Sequence, residues 1–345
     1  MVYNGRKLTK SNNQPMKFIN IEVLKPGDIV LTTSNKKVSA LIRAVTKSDI
    51  SHAMICVAYG SVMDSTIDGV QARNVQKILY DDNNSIYILR TKEPLPTDKL
   101  EKIITYARAS TGTSYSGRDA ATVVKRKKTG SVSAKQFCSR MVARAYASAG
   151  IALVANPDFC APEELKKSDI LMIIEPSWLK VSADEEGIEL EDTTERMREV
   201  TNDFLTKVRT LDKKIESLND VDKLLIERQE LDSQISKALI SSGYLEHWKI
   251  EQLRFPWRYD PMQMVQFYHS LTDKGPLFEY CRDTLRDHEV GTFVHWEANA
   301  KGYSQMNKAY PRKSFQLLEK LYLTLNFNHY RRVKSAKILL RVYET

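Results

Sequence analysis

Cysteine is scarce in this chain of 345 residues, which contains four. The thiols of Cys56, Cys138, Cys160 and Cys281 are too few for a disulfide scaffold and lack the paired spacing of a zinc site. So low a number is typical of a protein that stays in a reducing compartment. The sequence therefore predicts no disulfide framework, no metal site and no other cofactor.

Long apolar runs are also missing. No stretch of about 18 apolar residues occurs anywhere, so the sequence predicts no membrane-spanning helix. Residues 1–14 are polar and lack the apolar core of a signal peptide. We therefore expect a protein that is cytoplasmic as made, and whose export would require a specialised secretion machinery.

Acidic residues are outnumbered, and the formal net charge is +9. Hydrophobic residues make up 42% of the chain and charged residues 28%, which is an ordinary balance for a globular protein. The positive charge suits an anionic partner, such as a lipid or a cell-wall polymer, without choosing between them. The basic segments do not interleave aromatic residues as nucleic-acid-binding folds do, so no nucleic acid is expected as a partner.

A cysteine opens a predicted helix in the middle of the chain. Met141, Val142 and Ala145 provide its apolar face, and Gly150 is a suitable residue to end it. Cys138 then lies in the first turn, where unpaired backbone N–H groups and the helix dipole favour a thiolate. A thiolate is a nucleophile, whereas the alternative interpretation makes Cys138 a small buried apolar residue.

A histidine opens an apolar run of strand length farther upstream. His52 begins this run, Gly60 and Ser61 are predicted to form a tight turn after it, and Asp64 lies in the next strand-like run. The hairpin would bring His52 and Asp64 into one small sheet, although the sequence does not fix whether they hydrogen-bond. With Cys138 they would form a nucleophile, a base and a carboxylate that orients the base.

The order of these segments resembles a known family. Over roughly residues 18–175 the chain is similar to the permuted papain-like cysteine hydrolases of the YiiX/YebB type, in the NlpC superfamily of cell-wall peptidases. In that branch the histidine strand precedes the cysteine helix, and relatives commonly carry Glu where this chain has Asp64. The segments that carry the resemblance are Pro26-Gly27-Asp28-Ile29, Ser51-His52-Ala53, Met63-Asp64-Ser65, Gly112-Thr113-Ser114-Tyr115 and Phe137-Cys138-Ser139.

The resemblance implies an α+β fold, a permuted papain-like (NlpC-type) domain with a small antiparallel sheet and a cysteine-bearing helix. It also implies that Cys138, His52 and Asp64 are catalytic. Tyr115, Ser51 and Ser139 are then candidates for substrate binding, although packing beneath its loop explains Tyr115 equally well. Further along the chain, an α-helical C-terminal domain is expected to follow.

The predicted domain organisation has five parts. A flexible N-terminus is expected over 1–17, the hydrolase domain over 18–180, an acidic linker over 181–195, a helical hairpin over 196–243 and a helical, aromatic-rich, basic domain over 244–345. The basic end of the last domain is interpreted either as an amphipathic helix packed on its neighbours or as a binding site for an anionic surface. The C-terminal half is expected to select or target substrates and to contribute no catalytic residue.

Three functions remain open at the level of the sequence. The favoured one is a cysteine amidase or peptidase that cleaves peptidoglycan stem peptides, a secreted effector or toxin with an immunity protein as partner. The second is a lipid or protein acyl hydrolase or acyltransferase that uses the same three residues. The third is a binding module with a dead site. The residues do not separate hydrolysis from acyl transfer, and they do not predict an oligomeric state.

Overall fold

The computed structural model describes residues 16–33, 48–115, 137–181 and 194–344. Residues 1–15 of the predicted flexible N-terminus and residues 182–193 of the predicted acidic linker lie outside this part of the chain. The chain divides into two compact units. One comprises the described residues up to 198 together with 214–220, and the other comprises 199–213 together with 221–344.

Two antiparallel sheets form the frame of the first unit. A six-stranded sheet has the strand order β5-β4-β3-β2-β7-β8, and a three-stranded sheet has the order β6-β1-β9. Both contain only antiparallel pairs, so the predicted α+β class with a small antiparallel sheet is confirmed. The strands are β1 Met16–Ile19, β2 Ile29–Thr32, β3 His52–Ala58, β4 Ser61–Thr66, β5 Gly69–Asn74, β6 Tyr80–Asp81, β7 Ile86–Thr91, β8 Leu171–Ile174 and β9 Trp178–Lys180.

The cysteine helix packs on the larger sheet. The described helices of this unit are α1 Thr97–Ala109, α2 Cys138–Ser148 and α3 Pro162–Lys166. Met141, Val142 and Ala145 of α2 are fully buried, as their spacing predicts, in a core shared with β3 and α1. Gly150 follows the helix with φ +74°, a conformation that glycine adopts without strain. The apolar face of α2 thus fixes where its first residue lies.

The hairpin between β3 and β4 differs in detail from the prediction. The turn was expected at Gly60 and Ser61, but Ala58 pairs with Ser61, so Tyr59 and Gly60 form the turn. Gly60 has φ +63°, which favours glycine at this position. A β-bulge between Cys56 and Ala58 shifts the register of the two strands, and alternating hydrophobicity does not show such an extra residue.

The turn that precedes β2 is held by a buried ion pair. The carboxylate of Asp28 accepts hydrogen bonds from Nε of Arg90 at 2.7 Å and from its Nη2 at 2.6 Å. The hydroxyl of Tyr146, on α2, donates to the carbonyl oxygen of Gly27 at 2.5 Å. Gly27 has φ +92°, and a Cβ there would come within 2.8 Å of Leu100. The turn therefore joins the interior strand β7, helix α1 and the cysteine helix.

The second unit is helical throughout its described residues. Its core gathers Met264, Leu277, Cys281, Ala336 and Leu339 from helices α8, α9 and α11. No helix in the described part of the chain is long and apolar enough to span a membrane. The helices are α4 Glu195–Arg209 and α5 Leu218–Glu227, which both begin in the first unit, then α6 Asp232–Ser241, α7 Trp248–Arg254, α8 Pro261–Ser270, α9 Gly275–Glu289, α10 Val294–Ala309 and α11 Lys313–Tyr343.

Candidate active site

The predicted base and its orienting carboxylate meet on adjacent strands. Met54 of β3 lies opposite Asp64 of β4, so Asp64 is diagonal to His52 on the same face of the hairpin. Nε2 of His52 is 2.6 Å from Oδ1 of Asp64. The side chain of His52 is 20% exposed and that of Asp64 only 5%. The contact whose existence the sequence left open is therefore present, and the carboxylate is almost fully shielded from solvent.

Arg73 contacts the other oxygen of the same carboxylate. Gln71 of β5 lies opposite Asp64, which makes Arg73 a diagonal neighbour of Asp64 on the side away from β3. Nε of Arg73 is 2.7 Å from Oδ2 of Asp64, so the carboxylate lies between a guanidinium and an imidazole. Arg73 is not among the site residues predicted from the sequence; the Asp68-Gly69 turn between β4 and β5 is the signal that brings it near Asp64.

Cys138 is the first residue of α2. Phe137 precedes it in an extended conformation, and the N–H of Met141 donates to the Phe137 carbonyl at 3.0 Å. The N–H groups of the first turn, including that of Cys138, have no acceptor within the helix. The Cys138 side chain lies close enough to His52 to raise the pKa of its imidazole, and the residue is 6% exposed. The structure thus brings Cys138, His52 and Asp64 together in the predicted order.

The electrostatics of the site favour a charged histidine. Burial alone lowers the pKa of His52, but the Asp64 carboxylate and the Cys138 sulfur, through charge and hydrogen bonding, outweigh it and raise this pKa to about 10. A positively charged imidazolium that lies between a sulfur and a carboxylate stabilises the negative charge of the sulfur when the thiol loses its proton.

The other three cysteines differ from Cys138. Burial raises the pKa of the Cys160 and Cys281 thiols to about 12 and raises that of Cys56 further. These three thiols therefore stay protonated at neutral pH, and a protonated thiol is a poor nucleophile. All four cysteines are described and buried. Of these four, Cys138 is the one whose side chain lies beside the imidazole of His52.

Two of the predicted substrate-binding residues lie beside the triad. Tyr115 is half-buried, and its pKa is raised by burial and then by the nearby Cys138 and Asp64. Ser51 is buried, and its N–H donates to the carbonyl oxygen of Thr32 at 3.0 Å. Tyr115 is therefore close to the reacting groups, and Ser51 helps to fix the start of β3. Their contact with a substrate stays a prediction.

Ser139, the third predicted substrate contact, anchors the cysteine helix. Its buried hydroxyl donates to the carbonyl oxygen of Cys160 at 2.6 Å. Arg140, fully buried, donates from Nε to the carbonyl oxygen of Asp158 at 2.7 Å, and its guanidinium lies 4.4 Å from the ring centroid of Phe137. The residues that follow Cys138 thus hold α2 against the segment 158–160. A role of Ser139 in substrate binding stays a prediction.

Metal ligands are not gathered at this site or elsewhere in the described ranges. Across 16–33, 48–115, 137–181 and 194–344, no group of three or more His, Cys, Asp or Glu side chains is placed to hold a metal ion.

Comparison with known proteins finds a family match for the part of the chain that contains the site. Residues 23–168 match the model of a family described as permuted papain-like amidase enzymes, YaeF/YiiX, C92 family. The resemblance predicted from the motifs is thereby confirmed for this part of the chain, and the family it matches is one of amidases. No curated protein matches the chain. A crystal structure of the metalloprotein yiiX from Escherichia coli O157:H7 matches with 18% identity and a TM-score of 0.34, over 44% of this chain and 96% of that one.

Proposed function

We propose that this protein is a cysteine amidase in which Cys138 is the nucleophile, His52 the general acid and base, and Asp64 the residue that orients His52. The observation that carries the proposal is that Nε2 of His52 lies 2.6 Å from Oδ1 of Asp64, while the nearby Cys138 side chain helps to raise the pKa of the same imidazole. The match of residues 23–168 to an amidase family supports the same reaction class.

The first half-reaction forms a thioester. The Cys138 thiolate attacks the carbonyl carbon of an amide, a C–S bond forms, and the carbonyl electron pair moves to oxygen. The N–H groups at the start of α2 are placed to stabilise that oxyanion. His52, protonated by virtue of its raised pKa, then gives its proton to the amide nitrogen as the C–N bond breaks, and an amine leaves.

The second half-reaction releases the acid. Neutral His52 accepts a proton from water while the water oxygen attacks the thioester carbonyl, and the Cys138 thiolate leaves as the C–S bond breaks. Asp64 stabilises the imidazolium that forms and holds the ring in position, and it does not itself transfer a proton. An amine or alcohol in place of water would give acyl transfer by the same steps.

Arg73 is the positioning residue in this scheme. Because its Nε lies 2.7 Å from Oδ2 of Asp64, it leaves Oδ1 facing His52. Asp64→Asn should reduce kcat by about 10³- to 10⁴-fold, while Cys138 still reacts with iodoacetamide, but more slowly.

Arg73→Gln should reduce kcat by about 10- to 100-fold, and Arg73→Lys should restore part of the loss, because a cation still faces Asp64.

These variants are compared by kcat, KM and the pH profile of kcat/KM. A purely structural role for Arg73 would lower the melting temperature and leave the profile of the folded fraction unchanged. The matched control is Arg228→Lys, since Arg228 is an arginine of the helical unit that pairs with Glu230 at 2.9 Å. Wild-type turnover and an unshifted profile in Arg73→Gln would remove Arg73 from the mechanism.

The favoured substrates are peptidoglycan stem peptides, as the family resemblance implies. Incubation of purified sacculi with the wild-type protein should release new amine and carboxyl ends, detected by mass spectrometry of the fragments, and Cys138→Ala should release none. Phospholipid vesicles and an acylated protein are incubated with the same two proteins, and the release of fatty acid is measured. Fatty acid release without amide cleavage would reject the amidase and support an acyl hydrolase. A role as a secreted effector depends on cleavage of sacculi.

A further inference from the structure

One face of the C-terminal helix is exposed along its whole length. α11 runs for 31 residues, and nine of its exposed positions recur at alternating spacings of three and four, beginning at Lys313 and ending at Arg341. The middle of this exposed stripe is apolar. Leu323 is 54% exposed, Phe327 64% and Tyr330 48%. Three large apolar side chains that neighbour one another on an exposed helix surface are unfavourable in water, and they mark a surface that binds a partner or a membrane.

The two ends of the exposed stripe are cationic. Lys313 and Lys320 precede the apolar centre, and Lys334, Lys337 and Arg341 follow it. The helix as a whole carries seven lysines and arginines against a single half-buried glutamate, a balance of +6 within a chain whose net charge is +9. Within this helix, which is described from end to end, no acidic residue lies on the exposed stripe.

We propose that the exposed stripe of α11 docks on the surface of an anionic lipid bilayer. Its nine positions span about 42 Å along the helix at 1.5 Å per residue and recur on one side of it, so this side presents an extended surface to a bilayer. The apolar centre enters the boundary between headgroups and acyl chains, where Tyr is enriched, while the lysines reach the lipid phosphates. The docking does not depend on the chemistry of Cys138.

Other occupants fit this composition less well. A second copy of the helix, placed antiparallel, would match apolar centre with apolar centre but would bring the lysines of each copy against those of the other, and like charges in contact destabilise an interface. A nucleic acid offers phosphates to the cations, but Leu323 and Phe327 carry no hydrogen-bonding group with which to read a groove. A bilayer accepts the cations and the apolar side chains at once.

The test is sedimentation of the full chain, as Cys138→Ala, with vesicles of phosphatidylcholine alone or with about a third phosphatidylglycerol. Binding should require the anionic lipid and weaken as salt is raised to about 0.5 M. The double variant Leu323→Ser and Phe327→Ser should bind at least about 10-fold more weakly, since each exposed apolar group adds partitioning energy. Lys334→Gln and Lys337→Gln should each lower binding about 5-fold, from about 1 kcal/mol per basic residue.

Matched controls lie on other helices of the same unit. Leu253→Ser removes a leucine that is 81% exposed on α7, and Lys237→Gln removes an exposed lysine on α6, and neither should change binding. An environment-sensitive dye on Phe327→Cys, installed in the Cys138→Ala protein whose three remaining native cysteines are buried, should shift to the blue on anionic vesicles, whereas the same dye on Leu253→Cys should not. Equal binding to both vesicle types, no binding, or binding to a polynucleotide or to a second copy without vesicles would each overturn the proposal.

Discussion

Replacement of Cys138 by alanine will reduce amide turnover by about 10⁴- to 10⁶-fold, because no acyl-enzyme can form without the sulfur. The fold should persist, since the substitution removes only the sulfur of the first residue of α2 and leaves the apolar face of that helix intact. The measurement is kcat on the cleaved amide, together with intact-protein mass after rapid acid quench. The wild-type protein should show the acyl adduct and the variant should not.

The control for this experiment is Cys281→Ala. Cys281 is also buried and also a free thiol, but it packs in the core of the helical unit, with its sulfur 3.7 Å from that of Met264. Its replacement should leave kcat within about two-fold while lowering stability by roughly 1 kcal/mol or somewhat more, as small core truncations do. Turnover of the Cys138→Ala protein at the wild-type rate would refute the thiol mechanism.

His52→Gln will produce the second-largest loss, about 10³- to 10⁶-fold in kcat, since nucleophile and base act as a unit. Glutamine keeps a polar group near Asp64 but can neither hold nor return a proton at neutral pH. Iodoacetamide should also label Cys138 more slowly in this variant, because the imidazolium that stabilises the thiolate is gone. Full turnover together with unchanged labelling would contradict the role of His52.

The pH dependence of stability gives an independent readout for His52. Its pKa in the folded protein is raised from 6.5 to about 10, so the folded state holds this proton more tightly than the unfolded state does. The resulting stabilisation is fully present below about pH 6.5, declines as pH rises and is lost above about pH 10. Thermal melts should show this alkaline decline in the wild-type protein, and His52→Gln should show less of it.

The triad was predictable because it depends on short segments whose order is itself informative. A histidine at the start of an apolar run, an aspartate after the next turn and a cysteine at a helix start each have a local signal, and the structure brings their side chains together. The buried face of α2 was likewise visible from the spacing of Met141, Val142 and Ala145. These signals lie within single elements or within one hairpin.

Features that depend on register were not predicted. Arg73 lies on β5, and its contact with Asp64 follows only once Gln71 is known to lie opposite that residue. The turn lies at Tyr59 and Gly60, one residue before the predicted position, because Ala58 pairs with Ser61, and the bulge between Cys56 and Ala58 then shifts the register of the rest of the hairpin. The hydroxyl of Ser139 donates to a carbonyl 21 residues away, a contact for which the sequence carries no local signal.

The exposed face of the C-terminal helix α11 was not predicted from the sequence either. Its basic and apolar residues predict an amphipathic helix, and Leu339 is buried, whereas Val342, three residues later, is 56% exposed. Apolar residues occur on both faces of α11, so composition alone cannot say that Phe327 points to solvent. Only packing against the neighbouring helices decides which face is covered.

The Pro26-Gly27-Asp28 turn has a consequence for how relatives are recognised. Its carboxylate is held by Arg90 and its carbonyl oxygen by Tyr146, so the motif stabilises the scaffold and takes no part in the proposed chemistry. A chain that keeps this turn but has lost Cys138 or His52 would retain the fold as a pseudoenzyme. Surveys of genomes that search for the turn will therefore count such pseudoenzymes as enzymes, whereas searches that require the cysteine and the histidine will separate the two groups.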